Sequence, residues 1–124
     1  MTDAQTLIAT VLEALNQNDF DTFYGHLSED FRYVTPLYTV TGKDATIEAD
    51  RPLFAQLSHH WRQIDRSLAS GDKVAIWMRF GGTVAHNAKT FEVEVCNIFT
   101  VDGETITALE LHADFSSMMA AMQA

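Results

Sequence analysis

The sequence predicts an α+β domain in which helices from the first half of the chain pack on one face of a curved, mostly antiparallel sheet from the second half. Three observations carry this. Apolar residues recur at helical spacing near the start of the chain and again around Leu53. They recur at every second position in long runs after His59. The turn sequences Ser70-Gly71-Asp72 and Asp102-Gly103 lie between those runs, as hairpin connections do. A single domain, 1–124, accounts for the chain: 124 residues at 47% hydrophobic composition enclose one core and a small cavity, with nothing left for a second.

Leu7, Val11, Leu12 and Leu15 form the stripe of the first helix, and Thr2 followed by Gln5 has the form of a capping box at its start. After the polar Asn16-Gln17-Asn18 turn, Asp19 is placed to cap a second short helix carrying Phe20, Phe23 and Leu27. Phe31, Tyr33 and Thr35 then alternate with Arg32 and Val34 in a brief strand that Pro36 closes by withdrawing a backbone donor. Following Tyr38 to Thr41, Gly42 leads into a third helical stretch through Ile47, Leu53 and Leu57, with a kink or a restart expected at Pro52.

The remaining strands pair as two hairpins. Gly81-Gly82 falls inside one strand, where a bulge or bend would curl the sheet and make one face concave. Val74, Ile76, Met78 and Phe80 share a side, with Ala75, Trp77 and Arg79 opposite. On the last strand Leu109, Leu111 and Ala113 oppose Glu110, His112 and Asp114. Met118, Met119 and Met122 mark a short terminal helix.

Charge and composition exclude several partners. Eight Lys+Arg against 17 Asp+Glu give a net charge of -9, which repels phosphate backbones and anionic lipid, so neither nucleic acid nor membrane is an expected partner. No apolar run spans a bilayer, and Met1-Thr2-Asp3 lacks the basic and apolar blocks of a signal peptide; a cytoplasmic location is expected. Cys96 is alone, without a disulfide partner, and sits among acidic neighbours as a small packing residue. Neither a cofactor motif nor a glycine-rich phosphate loop is present, and no cofactor is expected.

The residue that bears most on function is Asn97. From Phe91 to Val101, the side containing Phe91, Val93, Val95, Phe99 and Val101 is apolar except for this carboxamide. Burying an amide without partners costs roughly 2–7 kcal/mol, so either a ligand or the protein must answer it.

The order of elements, with Asn18-Asp19-Phe20, Ser28-Glu29-Asp30-Phe31, Ser70-Gly71-Asp72 and the closing Glu110-Leu111-His112-Ala113-Asp114-Phe115, resembles the SnoaL-like domains of the nuclear-transport-factor-2-like (NTF2-like) superfamily. The resemblance covers essentially the whole chain. It implies a cone: a curved sheet wrapped around the N-terminal helices, with an internal apolar pocket. Such folds serve ketosteroid isomerases, limonene epoxide hydrolase, polyketide cyclases and binding modules, so the fold leaves the activity open.

By motif position, the resemblance places the isomerase base at Thr35, the oxyanion-holding tyrosine at Val11 and the protonated aspartate at Asn97; the hydrolase and cyclase aspartate falls at Leu111. A threonine hydroxyl does not take a proton from carbon near neutral pH. The implied pocket therefore lacks the usual catalytic carboxylates and is expected to contain no carboxylate at all: Tyr33, Thr35, Trp61 and Asn97 stand among Ile76, Met78, Phe99, Leu109 and Leu111, which suits a hydrophobic small molecule with a polar tip.

Other polar groups offer rival readings. Glu110, His112 and Asp114 project together, as a His-centred acid/base set or as a solvated face with Asp114 capping the final helix at Ser116 and Ser117. His59 and His60 are adjacent on a strand and point to opposite faces, so they do not chelate one ion and no metal site is expected; the resemblance implies a pocket mouth after the third helix, where one of these imidazoles or the Trp61 indole is expected to meet a ligand. Tyr24 and Tyr38 read as core aromatics whose hydroxyls reach the surface. Trp77, Cys96 and Ile98 form an outward apolar strip that suggests a homodimer through the convex sheet face. Two functions follow: small-molecule binding, with isomerase, cyclase or lyase chemistry open, or a non-catalytic structural or interaction domain whose cavity its own side chains fill.

Overall fold

A computed structural model describes residues 3–124. Helix α1 (Ala4–Asn16) buries Leu7, Ile8, Val11, Leu12 and Leu15. Its cap is Asp3, whose carboxylate accepts the Thr6 N–H at 2.8 Å; the Thr2 half of the expected capping box lies outside the described residues. Helix α2 (Phe20–Gly25) begins as expected, with the Asp19 carboxylate accepting the Thr22 N–H at 3.2 Å.

Two helix ends fall earlier than the apolar spacing suggests. Leu27 does not continue α2 but opens strand β1 (Leu27–Val34), because the His26 carbonyl already accepts the Ile106 N–H and draws the chain into the sheet. Likewise Leu57 opens strand β3 (Leu57–Ser70) rather than extending helix α3 (Lys43–Ala55), since the Gln56 carbonyl accepts the Ala85 N–H. Pro52 produces no break. It lies on the exposed side near the helix end, where the loss of one backbone bond is cheap. Gly42, at φ 110, turns the chain from strand β2 (Thr39–Thr41) into α3.

Strands β4 (Lys73–Val84), β5 (Thr90–Asp102) and β6 (Thr105–Ala113) and helix α4 (Ser116–Gln123) complete the chain. The six-stranded sheet runs β2-β1-β6-β5-β4-β3, antiparallel throughout except for the parallel β1–β6 pair. Both expected hairpins form, β3–β4 through Gly71 and β5–β6 through Gly103.

Gly81 and Gly82 do not form a bulge; β4 pairs without interruption with β5 past both. Their role is close approach. A Cβ on Gly81 would meet the Trp61 ring at 2.4 Å, and one on Gly82 would meet the His59 carbonyl at 2.6 Å. Register slips instead occur in β3 between Leu57 and His59 and between Ile64 and Arg66, and beside Thr100/Val101 in the β5–β6 pair.

The concave face carries Val74, Ile76, Met78 and Phe80 of β4, the alternate residues of β5, and Ile106 and Leu109 of β6, all buried. Helix α1 lies across it, and α4 seats Met118 and Ala121 against the core. No helix among the described residues is long and apolar enough to cross a membrane.

Candidate functional site

On β5 the alternation runs as read: Phe91, Val93, Val95, Asn97, Phe99 and Val101 are buried. Asn97 is 1% exposed, pairs across to Ile76 on one side and Leu111 on the other, and its Nδ2 has no hydrogen-bond partner among the described residues. It faces a cavity of about 90 Å3, partly open to solvent, between the sheet and helices α1, α2 and α3.

Of the residues expected around that space, Tyr33, Met78, Asn97, Phe99, Leu109 and Leu111 line it. Three do not. Thr35 lies past the end of β1 in a turn, where its Oγ1 accepts the N–H groups of Leu37 and Tyr38 at 3.1 and 3.0 Å. Trp61 stands opposite Gly81 and packs over it on the outward face. Ile76 is a core residue beside Asn97 but is not on the cavity wall.

The expectation of a cavity without carboxylates is overturned. Asp50, 7% exposed, projects from α3 into the same space. The Tyr24 hydroxyl donates to one of its oxygens at 3.0 Å and the Tyr38 hydroxyl to the other at 3.4 Å, so these phenols serve a buried anion rather than reaching the surface. Facing it from β3 is Arg62, which the alternation turns inward together with His60.

Burial raises the Asp50 carboxyl to about 6, against the smaller pull of the two tyrosine hydrogen bonds and the Arg62 charge. Burial, and then the Asp50 charge, push Tyr38 up to about 12 and hold Tyr24 and Tyr33 above their ordinary range. Arg62 comes down to about 10 through burial and remains charged at neutral pH. His60 falls to about 4, through burial first and the Arg62 and His59 charges second. At neutral pH the cavity thus holds a guanidinium, a mostly ionised carboxylate, a neutral imidazole behind them and one unanswered amide.

Sequence reading missed Asp50 and Arg62, although each left a trace. Thr46, Asp50, Leu53 and Phe54 recur at i, i+4, i+7 and i+8, an inward stripe that an Ile47-Leu53-Leu57 reading of α3 hides. Gly81-Gly82 marks where a large neighbour crosses, which sends Trp61 outward and Arg62 inward. His59 is exposed and His60 buried, on opposite faces.

The rival set lies elsewhere. Glu110 and His112 are solvent-exposed on the convex face, their side chains 3.4 Å apart. Asp114 accepts the Ser116 N–H at 3.0 Å and its hydroxyl, whereas Ser117 donates to the Glu92 carbonyl instead of being capped. None of the three lines the cavity.

Solved structures share this architecture. An NTF2-like protein from Burkholderia thailandensis E264 is 22% identical over the full length of both chains, with a TM-score of 0.86. An NTF2-like protein of unknown function from Burkholderia pseudomallei K96243 gives 0.88 at 17% identity, again over both full chains. TerC, co-crystallised with polyporic acid, gives 0.82 at 14% identity over 95% of this chain and 96% of its own. No curated protein sequence matches significantly. These proteins share with this chain the overall fold, which here is a curved six-stranded sheet covered on one side by helices; residues 8–109 match the SnoaL-like domain model, and the chain belongs to that family.

Proposed function

We propose that this protein holds a small, mostly apolar molecule with a polar end inside the cone, with Asn97 donating the orienting hydrogen bond. The observation that carries this reading is the Asn97 Nδ2, buried, unpartnered and turned toward an apolar-walled cavity. An unmatched buried donor costs about 1–3 kcal/mol, a standing cost that a carbonyl or hydroxyl oxygen on a ligand removes. TerC, a protein of the same fold, was co-crystallised with polyporic acid, which supports a small-molecule role for this kind of cone.

Size narrows the class. At 90 Å3 the cavity is smaller than the ~150 Å3 apolar void that takes up benzene. The ligand is therefore compact, or inserts one end through the opening. Binding ranks ahead of isomerase, cyclase or lyase turnover because both Asp50 oxygens already accept phenol hydrogen bonds, which dulls the cavity's one carboxylate as a base. A thermal-shift panel of small aromatic and terpenoid ketones, alcohols and acids tests it. A rise in Tm that Asn97→Leu abolishes is expected; silence across the panel favours a structural domain with a self-filled cavity.

The half-buried outward strip of Trp77 and Ile98 is proposed as the contact with a second copy. Arg66 stacks on the Trp77 ring at 4.4 Å and extends that flat surface. A monomer of 124 residues at micromolar concentration in analytical ultracentrifugation overturns it.

A further inference from the structure

Arg62 has one edge in use and one edge free. Its Nη1 donates to His60 Nδ1 at 3.0 Å and reaches Asn16 Oδ1 at 3.5 Å. Because Nδ1 accepts, the His60 proton sits on Nε2, which donates to Asn18 Oδ1 at 2.7 Å. The Phe80 and Phe54 rings flank the guanidinium, their centroids 5.0 and 5.8 Å from its central carbon. This clamp fixes the plane of the group. Its Nε and Nη2 have no hydrogen-bond partner among the described residues, and no carboxylate lies within 4.0 Å of it among them. Asp50, the anion of the same cavity, is held by Tyr24 and Tyr38 instead.

A half-buried cation on a cavity wall, with its side-on fork open and its plane fixed, is arranged for a planar oxyanion. Nε–H and Nη2–H lie parallel and match the two oxygens of a carboxylate, a pairing that is specific in geometry as well as in charge. Resting on the small-molecule reading above, we propose that the ligand is a carboxylic acid whose carboxylate takes the free edge of Arg62, and that Asp50 gains a proton as the acid enters.

The coupling follows from the groups around Asp50. Tyr24 of α2, Tyr38 of the turn before β2 and Tyr33 of β1 face it as neutral phenols, and Arg62 of β3 is the one cation among them. A ligand carboxylate claims that cation and adds a second negative charge to a space of 90 Å3, so the Asp50 anion loses support and faces a like charge. His60 does not compensate by charging, since its Nδ1 is occupied by the Arg62 donor. Asn97 serves a different part of the molecule. Arg62 pairs with Phe80 and Phe80 with Val93, which places Asn97 two strands across and four residues along the sheet.

The test uses benzoate, cinnamate and their primary amides in thermal shift and titration calorimetry from pH 5.5 to 8. The acids are expected to bind, with an affinity that falls about tenfold per pH unit above about 6, and with uptake of one proton at pH 7.5 in buffers of different ionisation heat. Asp50→Asn should remove the pH dependence. Arg62→Gln should weaken the acids at least tenfold while the amides stay within twofold. Amides binding as tightly as acids at pH 5.5, or acids indifferent to Arg62→Gln, would overturn this inference and leave small-molecule binding standing. No response to any of the four overturns this inference, and silence across the wider panel above overturns the small-molecule reading with it. Should Arg62→Gln not fold, Asp50→Asn decides: a pH profile unchanged from the parent rejects the coupling.

Discussion

Replacing Asn97 by leucine exchanges a carboxamide for an apolar group of similar volume at a position 1% exposed, between Val95 and Phe99 on its own strand and Ile76 and Leu111 on its neighbours. The parent protein leaves the Nδ2 unpaired there. Removing an unsatisfied buried donor recovers about 1–3 kcal/mol, and the leucine meets only apolar surface. Taking about 2 kcal/mol, and an unfolding entropy near 2.1 cal/mol/K per residue, the melting temperature of a chain this long should rise by roughly 8 °C. Circular dichroism at 222 nm against temperature reads this directly. At the same time the Tm shift given by any ligand should vanish, so stability and binding move in opposite directions. A fall in Tm would show that the amide already has an internal partner, and the reasoning that makes it a ligand contact would be lost.

Three further outcomes follow from the same geometry. Asp50 has its carboxyl raised to about 6 in the folded protein against about 3.9 unfolded, so its contribution is present at low pH and lost as pH rises through about 6, amounting to about 3 kcal/mol. His60, lowered to about 4, acts oppositely: its contribution is present above about 6.5 and lost as pH falls toward 4. The two offset each other, and urea unfolding between pH 4 and 6.5 should expose them separately: relative to the parent, Asp50→Asn loses stability on acidification and His60→Gln gains it. If both variants track the parent, the two groups are not buried as described. Gly82→Ala drives a Cβ into the His59 carbonyl and should cost about 2–3 kcal/mol by overpacking, whereas Gly81→Ala meets a Trp61 ring free to swing toward solvent and should cost about 1 kcal/mol with a red-shifted tryptophan emission. Equal costs for the two would show that Trp61 is not seated over Gly81. Trp77→Asp should leave the fold intact and yield a monomer; a dimer that survives it places the interface elsewhere.

Periodicity exposes the parts of this molecule that obey one rule at a time. Strand β5, and β4 as far as Phe80, alternate cleanly because one face meets the core and the other is turned outward, so the inward position of Asn97 is readable without coordinates. Element ends are less legible. Leu27 and Leu57 carry helix-compatible spacing, and only backbone bonds from Ile106 and Ala85, distant in the chain, pull them into strands. Asp50 is hidden for a related reason. A charged residue on a helix reads as solvated, and what makes it a cavity residue is the arrival of Tyr24, Tyr38 and Arg62 from three other elements. Thr35 misleads in the opposite sense: its parity with Phe31 and Tyr33 is right, but Pro36 starts a turn that recruits its hydroxyl for the backbone.

The lone parallel pair in the sheet has a consequence for how the chain is made. Strand β1 docks beside β6, so residues 27–34 wait for residues 105–113 to leave the ribosome before their second edge is covered. During synthesis the two N-terminal helices and their greasy stripe have no finished floor to lie on, and the long-range closure that completes the floor is the slow event. Nascent chains halted just short of β6 should remain protease-sensitive throughout, and those released beyond it should become resistant in one step.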